Sequence, residues 1–212
     1  PCCDQFVTPM AAVAGAVADH MLDAIRAETG LIRAVVNNGG DIALHLTGAQ
    51  RYRIGIHDHR HFGRHAGIVE IGADDGIGGV ATSGWRGRSF SFGIADSVTV
   101  LAATAAQADA AASMIANAVN VDHPGIVRQP AHSLRDMTDL GDLAVTVEVP
   151  QLPASLVQQA LQAGWQCARE CQAQGWIAAA FLVCQGQSMA LTLGGAVDGE
   201  QVSFGNEALA LA

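Results

Sequence analysis

The sequence predicts an α+β fold in which long helices pack on a largely antiparallel sheet. Helical and strand patterns follow one another in the order helix, strands, helix, strand, helix, strands, which is typical of this class. Half of the 212 residues are hydrophobic, so the chain can bury a sizeable core. Only 5% are aromatic, and small aliphatic side chains therefore have to fill that core. No repeat or linker divides the chain, and we expect one domain over residues 1–212.

The first predicted helix has recognisable signals at both ends. Thr8 followed by Pro9 is typical of a helix start, where a hydroxyl caps the helix and proline occupies the first turn. The helical pattern continues over residues 10–29, and Gly30 stands just after it, where glycine is common.

Apolar and β-branched runs then predict four strands. They cover residues 31–36, 42–47, 51–56 and 68–71. We expect the second and third to pair as a hairpin, with a turn at residues 37–40 before them and a polar loop at 57–65 after them. Residues 76–93 are too rich in glycine and serine to predict a regular element.

Two further helices and four further strands complete the predicted fold. In chain order they cover residues 96–102 (strand), 105–119 (helix), 143–149 (strand), 153–174 (helix), 177–184 (strand) and 188–193 (strand). Thr104 caps the first of these helices, and the last two strands pair around a turn at Gln185 and Gly186. Residues 122–135, which contain two prolines, are expected to form a loop.

The ionisable residues exclude several chemistries. All eleven basic residues are arginines, so no lysine is present to form a Schiff base or to hold a phosphate in a P-loop. The net charge of −9 and the lack of a basic run predict no binding to nucleic acid, because neutralisation of phosphates dominates that affinity.

The chain carries no predicted membrane or export signal. No apolar stretch is long enough to span a bilayer, and the short apolar segment 10–17 lacks the basic start of a signal peptide. Five cysteines, an odd number, fit a reducing compartment better than a disulfide framework. We therefore expect a cytoplasmic protein without membrane contact, whose oligomeric state the sequence does not predict.

Three short signatures occur in a fixed order and carry most of the functional information. They read NNGGD at residues 37–41, ATSG at 81–84 and AD-x3-S at 108–113. Glycines in the first two allow backbone N–H groups to approach a ligand. Each signature is weak alone, but together they predict a nucleotide-binding site assembled from distant parts of the chain.

Side chains in the first two signatures offer polar contacts for a nucleotide. Asn38 and Asp41 would hydrogen-bond a ribose or a base edge, and Thr82 and Ser83 would surround a phosphate or the edge of an isoalloxazine. Simpler interpretations are a tight hairpin turn for the first signature, which Asn-Gly strongly favours, and a surface loop for the second. The pattern around Ser83 is not that of a nucleophile elbow.

The third signature places a carboxylate and a hydroxyl on one helical face. Asp109 and Ser113 lie four residues apart, and such oxygens form a reasonable half-site for Mg²⁺. A solvated aspartate, with a small serine turned to a neighbouring element, is the alternative.

Together these segments resemble the FAD:protein FMN transferase (ApbE) superfamily over about residues 8–119. The matching segments read VVNNGGDI at 35–42, GGVATSG at 78–84, SVTV at 97–100, AD-x3-S at 108–113, and GAVAD, similar to a G-x-A-V-D helix, at 15–19. PMAAVAGA at 9–16 and SFG-x-AD at 91–96 are similar to a branch of short ApbE-like proteins.

The resemblance implies a ligand, a metal and the residues that hold them. In that family the third signature binds Mg²⁺ against the FAD pyrophosphate, so Asp109 and Ser113 are the implied metal ligands, with the carbonyl of Val13. The implied cofactor is FAD or FMN, with transfer or hydrolysis at the pyrophosphate. The implied pocket residues are Asn38, Gly39, Gly40, Asp41, Thr82, Ser83 and Gly84.

Two departures from the family limit what is implied. Ala14 stands where the family has a lysine, and residues 85–95 lack the family's H-I-x-D-P hairpin with its histidine. The resemblance therefore implies a bound flavin nucleotide, but not FMN transfer to a protein hydroxyl, and no catalytic base can be named.

Two further groups of residues lie near the signatures. Trp85, Arg86 and Arg88 follow the second signature and would stack on a ring or meet a phosphate; packing and surface roles are the alternative. The histidine-rich segment 57–65 is either a solvated loop or, less commonly for such a run, a metal site.

The cysteines lead to an alternative function. Cys167, Cys171 and Cys184 are expected to pack in the interior, as free cysteines commonly do. Cys2 and Cys3 precede the first helix and would carry a persulfide in a sulfur-relay or sulfide-assimilation protein that uses the same fold without flavin. An N-terminal segment with two incidental thiols is the simpler interpretation.

Overall fold

The computed structural model describes residues 7–27, 30–57 and 65–192 of the chain. Within them lie four α-helices: α1 (Val13–Arg26), α2 (Ala105–Ala118), α3 (Ala131–Leu134) and α4 (Ala154–Ala173). The same residues contain ten strands: β1 (Arg33–Asn38), β2 (Asp41–Leu46), β3 (Arg51–His57), β4 (His65–Gly72), β5 (Gly79–Ser83), β6 (Ser97–Ala102), β7 (Val127–Pro130), β8 (Ala144–Glu148), β9 (Ala179–Cys184) and β10 (Gln187–Leu191). None of the helices in these ranges is long and apolar enough to cross a membrane.

Six of the strands form one antiparallel sheet. The order across it is β1-β2-β5-β6-β9-β10, while β3–β4 and β7–β8 form separate two-stranded sheets. Every neighbouring pair in the large sheet runs antiparallel. This sheet and the helices packed on it confirm the predicted α+β class.

The large sheet lies between a helical layer and the β3–β4 hairpin. Successive side chains of a strand point to opposite faces, so Ala43 of β2 packs with Ala18 of α1, whereas Leu44 packs with Val69 of β4. Along the sheet, α1 packs on β1 and β2, α2 on β5 and β6, and α4 on β9 and β10. Neighbouring residues of β2 therefore pack alternately against the helical layer and against the β3–β4 hairpin.

The helices α1 and α2 cap each other's first turns. The carboxylate of Asp19 in α1 accepts hydrogen bonds from the backbone N–H groups of Ala105 and Ala106, both at 2.9 Å. Asp109 Oδ2 in α2 in turn accepts a hydrogen bond from the N–H of Gly15 at 2.9 Å. Carboxylates stabilise helix starts, because the first N–H groups have no partner inside the helix and the helix dipole is positive there.

Replacing Asp19 with alanine is expected to lower the free energy of unfolding by about 1 kcal/mol, the usual value for a lost side-chain cap. The first two N–H groups of α2 would lose their acceptor. Denaturation followed by circular dichroism measures the change. Asp23→Ala, at an exposed position on the same helix, is the control, with an expected change below about 0.5 kcal/mol. Equal losses in the two variants would contradict the capping role.

Several local predictions are confirmed. Thr104 Oγ1 accepts a hydrogen bond from Gln107 N at 3.2 Å and so caps α2. The hairpin of β9 and β10 turns at Gln185 and Gly186, both with positive φ. Gly30 has a φ of 85°, a left-handed conformation, but it does not follow the helix directly as predicted, because α1 ends at Arg26.

The first helix is shorter than predicted. A 3-10 turn, Pro9–Ala12, precedes the α-helix, and the side chain of Thr8 makes no capping hydrogen bond. The α-helix itself ends at Arg26. Ends of helices are set by capping and packing contacts that the apolar pattern does not contain.

Two predictions about strand pairing and position are wrong. Strand β3 pairs with β4 rather than with β2, and β2 pairs with β1 and β5. Strand β5 lies inside residues 76–93, where the sequence predicts no element. Its glycine is required by packing, because a Cβ at Gly79 would overlap the backbone of Thr104 at the start of α2.

The predicted loop at residues 122–135 contains two short elements. Strand β7 pairs with β8, and α3 follows it directly. The partner strand stabilises β7, whose four residues, Val-Arg-Gln-Pro, have no alternating pattern of their own.

Candidate functional site

The first two sequence signatures border one cleft of about 420 Å³. Its floor is the face of the large sheet that carries Val80 and Thr82 of β5 and Thr99 of β6. One wall is β3, and another is the segment after β5. The lining residues are Asn37, Gly39, Gly40, Asp41, Ile42, Ile54, Gly55, Val80, Thr82, Ser83, Gly84, Gly87, Arg88, Ser89, Asp96 and Thr99.

The first signature is a two-residue hairpin turn between β1 and β2. Asn38 pairs with Asp41, and Gly39 and Gly40 between them have φ of 72° and 115°. Asn37 Oδ1 accepts a hydrogen bond from Gly40 N at 2.8 Å and holds the turn. The simpler interpretation of this signature as a tight turn is therefore correct, and the same turn also borders the cleft.

Asn38 does not line the cleft. Its side-chain amide donates a hydrogen bond to the carbonyl of Ala14 at 3.0 Å and thereby ties the turn to the start of α1. Alternation along β1 explains this, because Asn37 and Asn38 point to opposite faces of the sheet. The expected contact of Asn38 with a nucleotide thus depends on a side chain that already has a structural partner.

The second signature forms the end of β5 and its exit. Thr82 is exposed in the cleft, where its hydroxyl lies 2.9 Å from that of Thr99 on the neighbouring strand. Gly84 is buried against the next loop, since a Cβ there would lie 2.6 Å from the carbonyl oxygen of Asp96. Ser83 lines the cleft between them. The segment therefore supplies two hydroxyl groups to the cleft, and its glycine allows the backbone to pack closely against the loop at Asp96.

The third signature lies on α2, in the helical layer. Asp109 and Ser113 are half-buried there and do not line the cleft. Burial raises the pKa of Asp109, while hydrogen bonds from the N–H groups of Gly15 and Ala14 oppose the shift. Asp109 is thus a carboxylate taken partly out of water and held by the first turn of α1.

Asp41 links the cleft to Asp109. The pKa of Asp41 is raised to about 6, first by burial and then by the negative charge of Asp109, while the positive charge of Arg88 opposes both. The two carboxylates therefore repel each other in a partly desolvated place. Such a pair favours either a shared proton or a bound cation.

These oxygens fit a hard divalent cation better than a zinc-type site. Among the described residues, no three His, Cys, Asp or Glu side chains cluster to hold a metal. A cation between Asp41 and Asp109 would complete its shell with hydroxyls, carbonyls or water, which Mg²⁺ accepts. The metal contacts of Ser113 and of the Val13 carbonyl stay predictions.

The segment after β5 contains three of the residues singled out in the sequence. Arg86 Nε donates to Asp96 Oδ1 at 2.8 Å and its guanidinium stacks on the ring of Trp85 at 4.6 Å. Asp96 is only 3% exposed and also accepts a hydrogen bond from Gln185 N at 2.6 Å. Arg86 and Trp85 therefore support the loop, and of the three only Arg88 lines the cleft.

The cleft also contains residues outside the three signatures, which the sequence did not mark as site residues. Ile54 and Gly55 of β3 form a wall, and Asp96 and Thr99 border the floor. Asp96 belongs to the SFG-x-AD segment, which is a usable signal, but nothing local marks Ile54 or Gly55.

The structure tests the predictions for three of the five cysteines, while the other two cysteines and most of the histidine-rich segment lie outside the described residues. Cys167, Cys171 and Cys184 are buried, as predicted. Cys2 and Cys3 lie outside the described residues, and so does most of the histidine-rich segment, whose ends His57 and His65 pair through their backbones. The sulfur-relay alternative stays a prediction.

The fold and the cleft define a class of protein: an α+β domain with a glycine-bordered, oxygen-rich cleft beside a pair of carboxylates. A family model described as "AbpE bacteria" matches residues 1–190 of the chain. The chain therefore belongs to this ApbE-like family, which confirms the family resemblance.

Similar proteins occur in archaea under the name UPF0280 protein. One from Methanothrix thermoacetophila is 43% identical over 117 residues, which cover 55% of this chain and 48% of that protein. One from Methanopyrus kandleri is 37% identical over 147 residues, 66% of this chain and 56% of that protein. One from Methanoregula boonei is 33% identical over 164 residues, which cover 74% of this chain and 68% of that protein. The chain spans about half the length of the first two relatives.

Proposed function

We propose that this chain binds a flavin nucleotide, FAD or FMN, together with Mg²⁺ in the cleft, and that it acts at the pyrophosphate as a transferase or pyrophosphatase. One observation carries the proposal. Two separate signatures border the same cleft, and Asp41 within it is electrostatically coupled to Asp109 of the third signature. Placement of the chain in a short branch of the ApbE-like proteins belongs to the same proposal.

The lining suits a ligand with an apolar ring system and polar ends. Ile42, Ile54 and Val80 offer an apolar surface, while Thr82 and Thr99 offer hydroxyls at its side. A cleft of a few hundred Å³ that combines an apolar surface with polar groups is typical of cofactor sites. The aromatic ring would lie on the apolar residues, and the phosphates would lie toward the glycine turn.

The two carboxylates would bind the metal in this arrangement. Asp41 and Asp109 would hold the cation, and Gly15 N–H keeps Asp109 oriented through its hydrogen bond. Bound Mg²⁺ would neutralise charge that develops on the phosphate oxygens. The amide of Gly39 lies in the turn that borders the same end of the cleft, while the amide of Gly40 donates to Asn37 Oδ1 and holds that turn.

Titration calorimetry with FAD, in Mg²⁺ and in chelator, tests the proposal. The wild-type chain is expected to bind FAD at least about tenfold more tightly with Mg²⁺, a difference of about 1.4 kcal/mol. Asp109→Asn is expected to abolish this dependence, because the amide removes the charge but can still accept the hydrogen bond from Gly15. Asp23→Asn, an exposed change of equal charge on α1, is the control and should leave it intact.

The stability of the variants separates a binding defect from a folding defect. Asp109→Asn keeps an acceptor for the α1 terminus, so its thermal midpoint should stay within a few degrees of the wild type. Asp109→Ala loses the acceptor and should also lose stability. Absence of FAD binding, or FAD binding that ignores both Mg²⁺ and Asp109, would refute the proposal.

A further inference from the structure

Arg88 is the only basic residue among the sixteen described residues that line the cleft. Its Nη2 donates a hydrogen bond of 2.6 Å to the carbonyl of Gly39, and so it connects the segment after β5 to the glycine turn. The contact requires glycine, because a Cβ at position 39 would overlap the guanidinium. The single cation among the described lining residues therefore lies directly against the first signature.

The backbone that carries Arg88 is fixed by contacts outside the cleft. Arg135 donates a hydrogen bond to the carbonyl of Arg88 at 3.1 Å and stacks on Phe90 at 5.0 Å. Further along, Thr146 N donates to Ser91 O at 2.8 Å. The exposed side chain of Arg88 can thus change partner while its backbone stays in place.

The partner of Arg88 in the free protein is weak for a guanidinium. A neutral carbonyl receives one of its five N–H donors, whereas a phosphate accepts two at once with opposite charge. The other charged residues in the described part of the lining are Asp41 and Asp96. The charge of Arg88 partly offsets that of Asp41, and Asp96 already accepts from Arg86 and from Gln185 N. Among the described lining residues, an anionic group that enters the cleft therefore meets one cation, Arg88, next to the glycine turn.

We propose that Arg88 determines the ligand class of the cleft: it exchanges the Gly39 carbonyl for the oxygens of a phosphate group and so selects phosphorylated ligands over neutral ones. This inference rests on the proposed function in that it specifies the ligand at the same site. It does not need the ligand to be a flavin. Arg88 acts here as a binding residue and takes no part in bond breaking.

Calorimetric titration with inorganic pyrophosphate, FMN and riboflavin, each with Mg²⁺, tests the inference. Arg88→Gln is expected to weaken pyrophosphate and FMN binding by about 10- to 100-fold, the range for a lost hydrogen bond to a charged group. Riboflavin, which has no phosphate, is expected to bind equally to the wild type and to Arg88→Gln. Arg88→Lys keeps the charge without the bidentate geometry, so its affinity for pyrophosphate and FMN should lie between those of the wild type and Arg88→Gln. Arg51→Gln, an exposed arginine that pairs with Glu70 at 3.4 Å, is the control.

The outcomes separate this inference from the proposed function. Pyrophosphate binding that depends on Arg88, without any flavin binding, would reject the flavin proposal and support the role of Arg88. No pyrophosphate binding by the wild-type chain would overturn the role of Arg88, and so would equal binding by Arg88→Gln. A parallel loss of riboflavin affinity would also overturn it, because the effect would then be structural. Unchanged thermal midpoints of Arg88→Gln and Arg88→Lys confirm that both variants are folded.

Discussion

Replacing Gly15 with alanine is expected to lower the free energy of unfolding by about 3 kcal/mol. Helix propensity alone predicts the opposite sign, since alanine is favoured over glycine inside a helix by about 1 kcal/mol. The structure decides between the two effects. A Cβ at position 15 would lie 2.5 Å from the carbonyl carbon of Ala105 and 2.7 Å from the nitrogen of Ala106, and both are backbone atoms that cannot turn away.

The substitution would also separate two helices that cap each other. Moving α1 away from α2 would lengthen the hydrogen bond from Gly15 N to Asp109 and those from Ala105 and Ala106 to Asp19. We therefore expect the Mg²⁺-dependent response to FAD to weaken along with stability. This coupling explains how a glycine outside the cleft can affect the site.

Urea denaturation of Gly15→Ala and Ala16→Gly measures the effect with an internal control. Ala16 is exposed on the same helix, one residue further along, so Ala16→Gly is expected to lower stability by about 1 kcal/mol through propensity alone. A gain in stability for Gly15→Ala would show that the two helices do not approach as closely as described.

Replacing Asp41 with asparagine is expected to stabilise the free protein by about 2 kcal/mol at neutral pH and to have almost no effect near pH 4. The pKa of Asp41 is raised from 3.8 to about 6 by burial and by Asp109. Folding therefore disfavours the ionised carboxylate. Asparagine is similar in shape and carries no charge to desolvate.

The direction of the pH dependence follows from the two pKa values. Below pH 3.8 the carboxyl is protonated in both states and contributes nothing. Between 3.8 and about 6 the folded state retains a proton that the unfolded state loses, so stability falls as pH rises. Above about pH 7 the carboxyl is ionised in both states and the loss is constant. The wild-type chain should lose stability across this window relative to Asp41→Asn.

Thermal unfolding of both proteins from pH 4 to pH 8 measures the difference, with Asp23→Asn as a control for net charge. The gap between the wild type and Asp41→Asn should widen up to about pH 7. Added Mg²⁺ should narrow it, if the cation binds beside Asp41 and Asp109 and favours the ionised form. A pH-independent gap would mean that Asp41 is not desolvated in the folded protein.

Stretches whose structure depends on near neighbours could be predicted from the sequence. The α2 helix and its Thr104 cap, and the turn at Gln185 and Gly186, use contacts within a few residues. Strand β5 could not be predicted, because its stability comes from pairing with β2 and β6 and from the close approach of α2 to Gly79. The partner of β3 is likewise set by tertiary packing.

For the site, the sequence was enough to indicate which segments matter, because glycine, carboxylate and hydroxyl residues at fixed spacing have a limited range of uses. It also determined the chemistry that is excluded, since a chain without lysine has no Schiff base or P-loop lysine. The direction of each side chain, by contrast, depends on how the strands and helices pack in three dimensions. This packing placed Asn37 and Thr82 on the cleft, tied Asn38 to α1, and coupled Asp41 to Asp109. Strand alternation and helix packing act across long distances in the chain, and these forces assign each residue to one face of the sheet.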